Sequence, residues 1–350
     1  MSKERETYKD NRMKNRKTIR VVFVSFFILT AIVIAFFIRN YLFIVQPIVK
    51  TSDGNAVSLY IPTGSDYQYV RSEILSLNVI TNKSAFDWLA KKSHYNENIH
   101  PGRYVLTDGM TTQQLINMLR MGHQTPVKVV FNNIRTVEQL AGRIDGQIEA
   151  DSLSIINAIR YDSVDATVFI PNTYEFYWNS DAESFVDRMV SEYNAFWNES
   201  RLQKAKNKNL TQREVSILAS IVDKETTKTS EMPTIAGVYI NRLKKHWPLQ
   251  ADPTLIYAIG DYSIRRVLDV HKEIDSPYNT YKYAGLPPGP ICIPSIAAID
   301  AVLNAESHNY FYFCAKDDLS GYHVFAKTIS EHNRNAEKYR KALNKNKIYR

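Results

Sequence analysis

The 350-residue sequence has only two cysteines, Cys292 and Cys314, and neither belongs to a C-x-x-C pair or lies beside a histidine cluster. The two thiols therefore either form one disulfide in an oxidising compartment or are buried and reduced. An H-E-x-x-H motif and close histidine pairs are also missing, which argues against a zinc protease. We therefore expect neither a metal site nor a cofactor.

Net positive charge is small outside the N-terminus. The formal net charge is +8, but residues 1–20 hold eight Lys or Arg against three acidic residues and so account for +5 of it. No zinc-finger spacing, Walker loop or dense basic-aromatic stripe is present, so we expect no nucleic-acid partner. An apolar fraction of 44% is typical of a globular protein, and the length suits roughly two domains.

Long apolar runs are missing except at residues 21–38, where 18 residues carry no charged side chain. A helix of that length spans ~27 Å, close to the thickness of a bilayer core. The basic block precedes the run, so the positive-inside rule places the N-terminus in the cytoplasm. A cleaved signal peptide is the rival interpretation, but the run is long for one and no A-x-A-like site follows it.

We therefore predict a cytoplasmic basic tail at 1–20, a transmembrane helix at 21–38 and a linker at 39–56. The rest of the chain then lies outside the cytoplasm. Residues 57–125 show a strand, two helices, a second strand and a third helix, an α+β pattern that resembles a LysM-like module. Such a module would contact peptidoglycan, although the pattern equally suits a purely structural domain.

A mostly buried helix that ends in a carboxylate is predicted after residue 211. Thr211 and Glu214 form a T-x-x-E capping box that marks its start. On the helical wheel Glu225 lies about 20° from Leu218, on the apolar face, whereas Asp223 points to nearly the opposite side. Desolvation would raise the pKa of Glu225 and make it a general acid, although a Glu near a helix end is more often solvated or salt-bridged.

Several further segments surround this helix. We predict a strand at 127–131, an aromatic segment that is either a cleft wall or core at 169–178, and a Lys-rich loop at 198–210. Residues 310–313 are predicted to form a buried strand that pairs with 321–325 in a hairpin.

An ordered set of motifs, ASIVDKET, YINRL, LQADPT, YNTY, GLPPGPI and GYHVF, resembles the endolytic murein transglycosylases of the YceG-like (MltG) family. The resemblance covers roughly residues 50–345 and is strongest at 219–291. It implies an α+β protein with a single N-terminal transmembrane helix, a LysM-like domain and a larger mixed α/β catalytic domain at 126–350. It also implies the bacterial inner membrane, with the catalytic domain on the periplasmic side.

The family resemblance implies a lyase that cuts glycan strands between N-acetylmuramic acid and N-acetylglucosamine and leaves a 1,6-anhydromuramyl end. The family's catalytic glutamate corresponds to Glu225, whereas a glutamate of many relatives is replaced here by Asp223. Glu231 is expected in a salt bridge or behind the site. Six residues in family motifs are candidates for holding the glycan: Gln250, Asp252, Thr254, Tyr278, Asn279 and Tyr281.

Two alternatives stay open from the sequence. One is a membrane-anchored peptidoglycan-binding scaffold with an inert carboxylate, and the other is a hydrolase that makes ordinary muramidase products. Peptidoglycan synthases or division proteins are conceivable partners, and the sequence identifies none of them.

Overall fold

The structure is a computed structural model that describes residues 2–264 and 266–346, with side chains from residue 19 onward. The chain forms two compact units, Met1–Pro126 and Val127–Arg350. Within the described ranges the secondary structure is helical with three separate two-stranded antiparallel sheets. The expectation of a mixed helix-and-sheet protein with one N-terminal apolar helix is confirmed.

The first unit begins with helix α1, Ser2–Val45. Its segment Ile19–Val45 is long and apolar enough to cross a membrane, and an 18-residue window within it has a mean hydropathy of 3.0 and no buried residue. The helix runs beyond the predicted end at residue 38, because neither Arg39 nor Asn40 breaks a helix and the first proline is Pro47. It therefore occupies the start of the predicted linker 39–56.

The rest of that predicted linker is also partly structured. Ile48 and Val49 are buried in the core of the first unit, and Val49 forms a β-bridge with Ile80. The mostly polar composition of the segment gave no sign that the two apolar side chains after Pro47 would be buried. Thr51 is buried as well, and residues 52–56 are the exposed connection to the first strand.

The first unit otherwise has the predicted order of elements. Its two strands pair antiparallel, and its three helices are each capped by a side chain, from Asp66, Asn82 and Thr111. The bounds are β1 Val57–Ile61, α2 Tyr67–Ser76, α3 Lys83–Lys92, β2 Gly102–Leu106 and α4 Thr112–Arg120.

The second unit contains nine helices and four strands in its described part. They are β3 Val127–Val130, α5 Val137–Ile144, α6 Ser152–Tyr161, β4 Thr173–Phe176, α7 Ala182–Phe196, α8 Glu199–Asn207, α9 Gln212–Glu225, α10 Met232–Lys244, α11 Asp252–Ile259, α12 Ile296–Leu303, β5 Tyr312–Ala315, β6 His323–Ala326 and α13 Ile329–Lys345. Strands β3 and β4 pair, as do β5 and β6.

Two predictions for this unit were wrong. The predicted loop 198–210 contains helix α8, which Asn198 caps and which buries Ala205, so its many lysines mark a solvated helix face. The strand predicted at 310–313 begins only at Tyr312, and β5 is half-buried along its length, although its predicted hairpin pairing, here with β6, is confirmed. Tyr312 and Phe313 line a cavity, which gives this segment an apolar pattern without full burial.

Helix α9 passes through the core of the second unit. Every residue from Val215 to Val222 is buried, including Ser216 and Ser220. The Ser220 hydroxyl donates to the Ile217 carbonyl and accepts from the backbone N–H of Ile291. Helices α10 and α12 pack against α9, so the end of α9 is held on several sides.

Helix α10 lies close to the segment 306–308 at Gly237. A Cβ there would lie 2.6 Å from the Glu306 carbonyl oxygen and 2.6 Å from His308 Nε2. Gly237→Ala is therefore expected to destabilise the protein by about 1–3 kcal/mol through overpacking, despite the better helix propensity of alanine. The measurement is thermal unfolding of the full-length protein in detergent.

Gly142 in α5 is the matched control, because a Cβ there meets no atom within 4 Å. Gly142→Ala should therefore raise the free energy of unfolding by up to about 1 kcal/mol, and the melting temperature slightly. A rise of the same size for Gly237→Ala would contradict the proposed close contact.

Candidate active site

A cavity of about 380 Å³ in the second unit is lined by residues from the motifs ASIVDKET, YINRL, LQADPT and YNTY. Its wall combines the last residue of α9, one face of α10, the segment that leads into α11, strand β5 and the start of α13. The lining residues are Glu225, Tyr239, Arg242, Leu249, Gln250, Asp252, Tyr281, Tyr312, Phe313, Ile329 and His332.

Glu225 lies at the end of α9 and is partly buried, with its side chain facing this cavity. Burial raises the pKa of its carboxyl to about 7, and the negative charge of Asp252 acts in the same direction. The hydrogen bond from Tyr239 and the positive charge of Arg242 oppose that rise. A large fraction of Glu225 therefore keeps its proton near neutral pH, as a general acid requires.

A second hollow of about 520 Å³ lies on another side of Glu225. It is more open and is lined by polar side chains that include Asn133, Lys224 and Thr227. The Lys224 ammonium donates to Asn133 Oδ1 at 3.0 Å. Glu225 therefore lines both hollows and is accessible from each.

Helix α10 supplies two side chains that the sequence interpretation did not include in the site. Tyr239 and Arg242 are three residues apart, on one face of α10, and both line the cavity. The Tyr239 hydroxyl donates to Glu225 Oε1 at 2.5 Å. The YINRL motif contained both residues, and the i, i+3 spacing of two polar side chains on an otherwise buried helix was the signal that could have found them.

Arg242 is buried and is held by backbone carbonyls. Its Nε donates to the Phe311 carbonyl at 2.7 Å, and its Nη1 donates to the Leu249 carbonyl at 2.8 Å. Nη1 also contacts the Pro248 carbonyl, and the guanidinium lies 5.2 Å from the centre of the Tyr312 ring. One buried cation thus holds the segment before α11 and the strand β5 against α10.

Three of the six predicted glycan-binding residues line the cavity: Gln250, Asp252 and Tyr281. The Tyr281 hydroxyl donates to Asp252 Oδ1 at 2.5 Å, so these two side chains form one polar unit. Gln250 has a left-handed backbone conformation, with φ at +53°, which is uncommon for a residue other than glycine. Such strain is typical of functional segments that the surrounding structure holds in place.

Two of the other predicted residues are buried and cannot contact a ligand in this cavity. Thr254 is 0% exposed and shares a hydrogen bond with Thr280, and Asn279 is 0% exposed and donates to the carbonyls of Lys272 and Ile274. Both hold the backbone of the motif loops. Tyr278 is partly buried and packs its ring on Tyr257, away from the cavity lining.

The neighbouring acidic residues have structural partners. Asp223 Oδ1 accepts a hydrogen bond from the hydroxyl of Ser295, the N-cap of α12. Glu231 accepts from the backbone N–H of His323 at 2.7 Å and lies 3.1 Å from its Nδ1, which agrees with the expected salt-bridge position. Neither carboxylate lines the 380 Å³ cavity, whereas Asp223 lines the 520 Å³ hollow.

The cysteines are free, and Cys292 is buried. Burial raises the pKa of the Cys292 thiol to about 12, which makes it unreactive. Of the two possibilities open from the sequence, the structure has unpaired thiols, although Cys314 is only partly buried. Among the residues described, His, Cys, Asp and Glu form no group that could hold a metal ion.

Comparison with known proteins matches residues 59–338 to the YceG-like family. The chain belongs to this family. The resemblance noted from the motifs is thereby confirmed, and it extends over most of the described part of the chain.

Two similar proteins carry the name of an enzyme. An "endolytic murein transglycosylase" of Bacillus subtilis is 31% identical over 322 residues, which cover 85% of this chain and 88% of that protein. A protein with the same name from Streptococcus pneumoniae is 28% identical over 365 residues, and the match spans 65% of its length. The crystal structure of a YceG-like protein from Listeria monocytogenes matches with a TM-score of 0.50, 28% identity, and coverage of 80% of this chain and 98% of that one.

Proposed function

We propose that this YceG-like chain is an endolytic lytic transglycosylase of peptidoglycan, with Glu225 as its catalytic acid and base. The observation that carries the proposal is a single carboxyl at the junction of two hollows, whose burial raises its pKa to about 7. Relatives that are 31% and 28% identical to this chain bear the name endolytic murein transglycosylase, which supports the same substrate and a lyase reaction.

The proposed reaction uses the Glu225 carboxyl twice. Protonated Glu225 donates to the oxygen that links N-acetylmuramic acid to N-acetylglucosamine, and that bond breaks. The resulting carboxylate takes the proton of the muramyl C6 hydroxyl as its oxygen bonds to C1, which leaves a 1,6-anhydromuramyl end. The residue ends in its starting protonation state, and no water is consumed, so a second catalytic carboxylate at hydrolase spacing is not needed.

The two hollows support binding within a strand rather than at its end. A glycan that lies across Glu225 needs room on both sides of the cleaved bond, and both hollows adjoin this residue. Aromatic side chains on the 380 Å³ side offer flat faces for sugar rings, and Tyr281, Asp252 and Gln250 offer hydrogen bonds to hydroxyl groups. Endolytic cleavage in this groove would limit the length of new strands.

We also propose that helix α1 anchors the enzyme in the bacterial inner membrane as a single-pass protein. Its segment Ile19–Val45 has the length and hydropathy for one crossing, and the basic residues precede it. The N-terminus would then be cytoplasmic, and the catalytic unit would be periplasmic. The LysM-like assignment of residues 57–125, its contact with glycan and the link to synthases or division proteins remain predictions.

Product analysis tests the proposed reaction. Full-length protein is incubated with purified sacculi, and the soluble fragments are weighed by mass spectrometry. A lyase releases muramyl fragments that each lack one water relative to muramidase products. Fragments that have gained that water would favour the hydrolase, and binding to sacculi without any new fragment would favour the scaffold.

A further inference from the structure

The contact between Tyr239 and Glu225 is one of the two shortest polar contacts at the candidate active site, and the proposed reaction gives it no role. Tyr239 is 2% exposed, and its hydroxyl lies 2.5 Å from Glu225 Oε1. The Tyr239 ring packs edge-on against Phe313 at 5.9 Å between ring centres. The hydroxyl is therefore held in place by its helix and by an aromatic neighbour from β5.

The direction of this hydrogen bond follows from the acidity of the two groups. Burial, followed by the charge of Glu225, raises the pKa of the Tyr239 phenol well above its usual value. The phenol therefore stays protonated, and its O–H donates to Oε1. In the part of the chain that the structure describes, Glu225 Oε2 has no hydrogen-bond partner.

Only one hydrogen can lie between the Tyr239 oxygen and Oε1, and the phenol supplies it. The proton of the neutral Glu225 carboxyl is then left on Oε2. We propose that Tyr239 is a positioning residue that holds Oε1 and reserves Oε2 as the oxygen that gives a proton to the substrate and takes one back. This inference rests on the proposed role of Glu225 and adds the identity of the reacting oxygen.

The same contact helps each half of the reaction. When the proton leaves Oε2 for the glycosidic oxygen, the negative charge that forms on the carboxylate is stabilised by the Tyr239 O–H. When the proton of the C6 hydroxyl arrives, it returns to Oε2, because the phenol still donates to Oε1. Tyr239 itself gains and loses no proton over the cycle.

The test is the pH dependence of the rate in Tyr239→Phe, which removes one oxygen from a residue of the same shape. Glu225 works in its protonated form, so the wild-type kcat/KM should fall as the pH rises through about 7. The phenol lowers the pKa of Glu225, so its loss should move this decline upward by about one pH unit. The rate at the optimum should fall about tenfold or more because the carboxyl is less well placed.

Tyr310→Phe is the matched control. Tyr310 lies in the same unit and packs its ring on Phe325, but it does not line the cavity. This variant should keep the wild-type rate and pH profile. Equal melting temperatures of the three proteins would show that folding is unchanged.

The inference would be overturned if kcat/KM of Tyr239→Phe were lower at every pH but declined at the same pH as that of the wild type. So would a fully active variant. A failure of the proposed function looks different, since either the wild type would release no anhydro-ended fragments or Glu225→Gln would keep its activity, whatever Tyr239→Phe does.

Discussion

Replacing Glu225 by glutamine is expected to abolish the release of anhydro-ended glycan fragments, with a rate loss of about 10²–10⁴-fold or more. The amide keeps the shape of the side chain and can still accept the Tyr239 hydrogen bond through its oxygen. It cannot donate an acid proton or take one back, so both halves of the reaction stop. The measurement is the yield of anhydromuramyl fragments from sacculi, by mass spectrometry.

Asp223→Asn is the control for this experiment. Asp223 is two residues away on the same helix and lines the 520 Å³ hollow, but its Oδ1 accepts from the Ser295 hydroxyl and it does not line the 380 Å³ cavity. Its effect on the rate should be much smaller. Binding of Glu225→Gln to sacculi should persist, which separates loss of chemistry from loss of substrate contact. Wild-type product yield from Glu225→Gln would refute the assignment of the acid.

The second large effect is expected from Arg242→Met. Methionine keeps much of the length and apolar contact of the arginine stem but leaves the carbonyls of Leu249 and Phe311 without their buried donor. Unsatisfied groups of this kind cost about 1–3 kcal/mol each, so we expect the free energy of unfolding to fall by about 3–5 kcal/mol. Thermal unfolding of full-length protein in detergent measures this.

Arg143→Met provides the comparison for Arg242→Met. Arg143 is exposed on α5, and its replacement should change stability by no more than about 0.5 kcal/mol. At a temperature where Arg242→Met is still folded, its activity should also be reduced, since the segment that carries Asp252 loses its anchor on α10. Equal stability of the two variants would show that the buried guanidinium does not hold these segments.

The residues predicted to bind glycan show how far motif reasoning reaches. The motifs LQADPT and YNTY do meet at one place in the fold, where Tyr281 donates to Asp252. Within each motif, however, fully buried residues stand beside more accessible ones in an order that no sequence pattern predicts. Thr254 is satisfied by Thr280, 26 positions away, so its hydroxyl could not be recognised as internal before the loops were seen together.

The start of α9 and the burial of Glu225 on it could be predicted from the sequence by itself. The capping box at Thr211 determines where the helix starts, and the 3.6-residue period places Glu225 on its buried side. The apolar run of α1 is equally local, because length and hydropathy alone decide whether a helix can cross a membrane. Both are properties of a single helix and need no partner.

What only the tertiary structure decided is how Glu225 is surrounded. Its hydrogen bond comes from α10, the charge that raises its pKa comes from Asp252, and the opposing charge comes from Arg242. These groups belong to separate segments, and their distances depend on how helices and loops pack. The carboxyl's acidity is therefore a property of the assembled site, because desolvation and charge act through space and not along the chain.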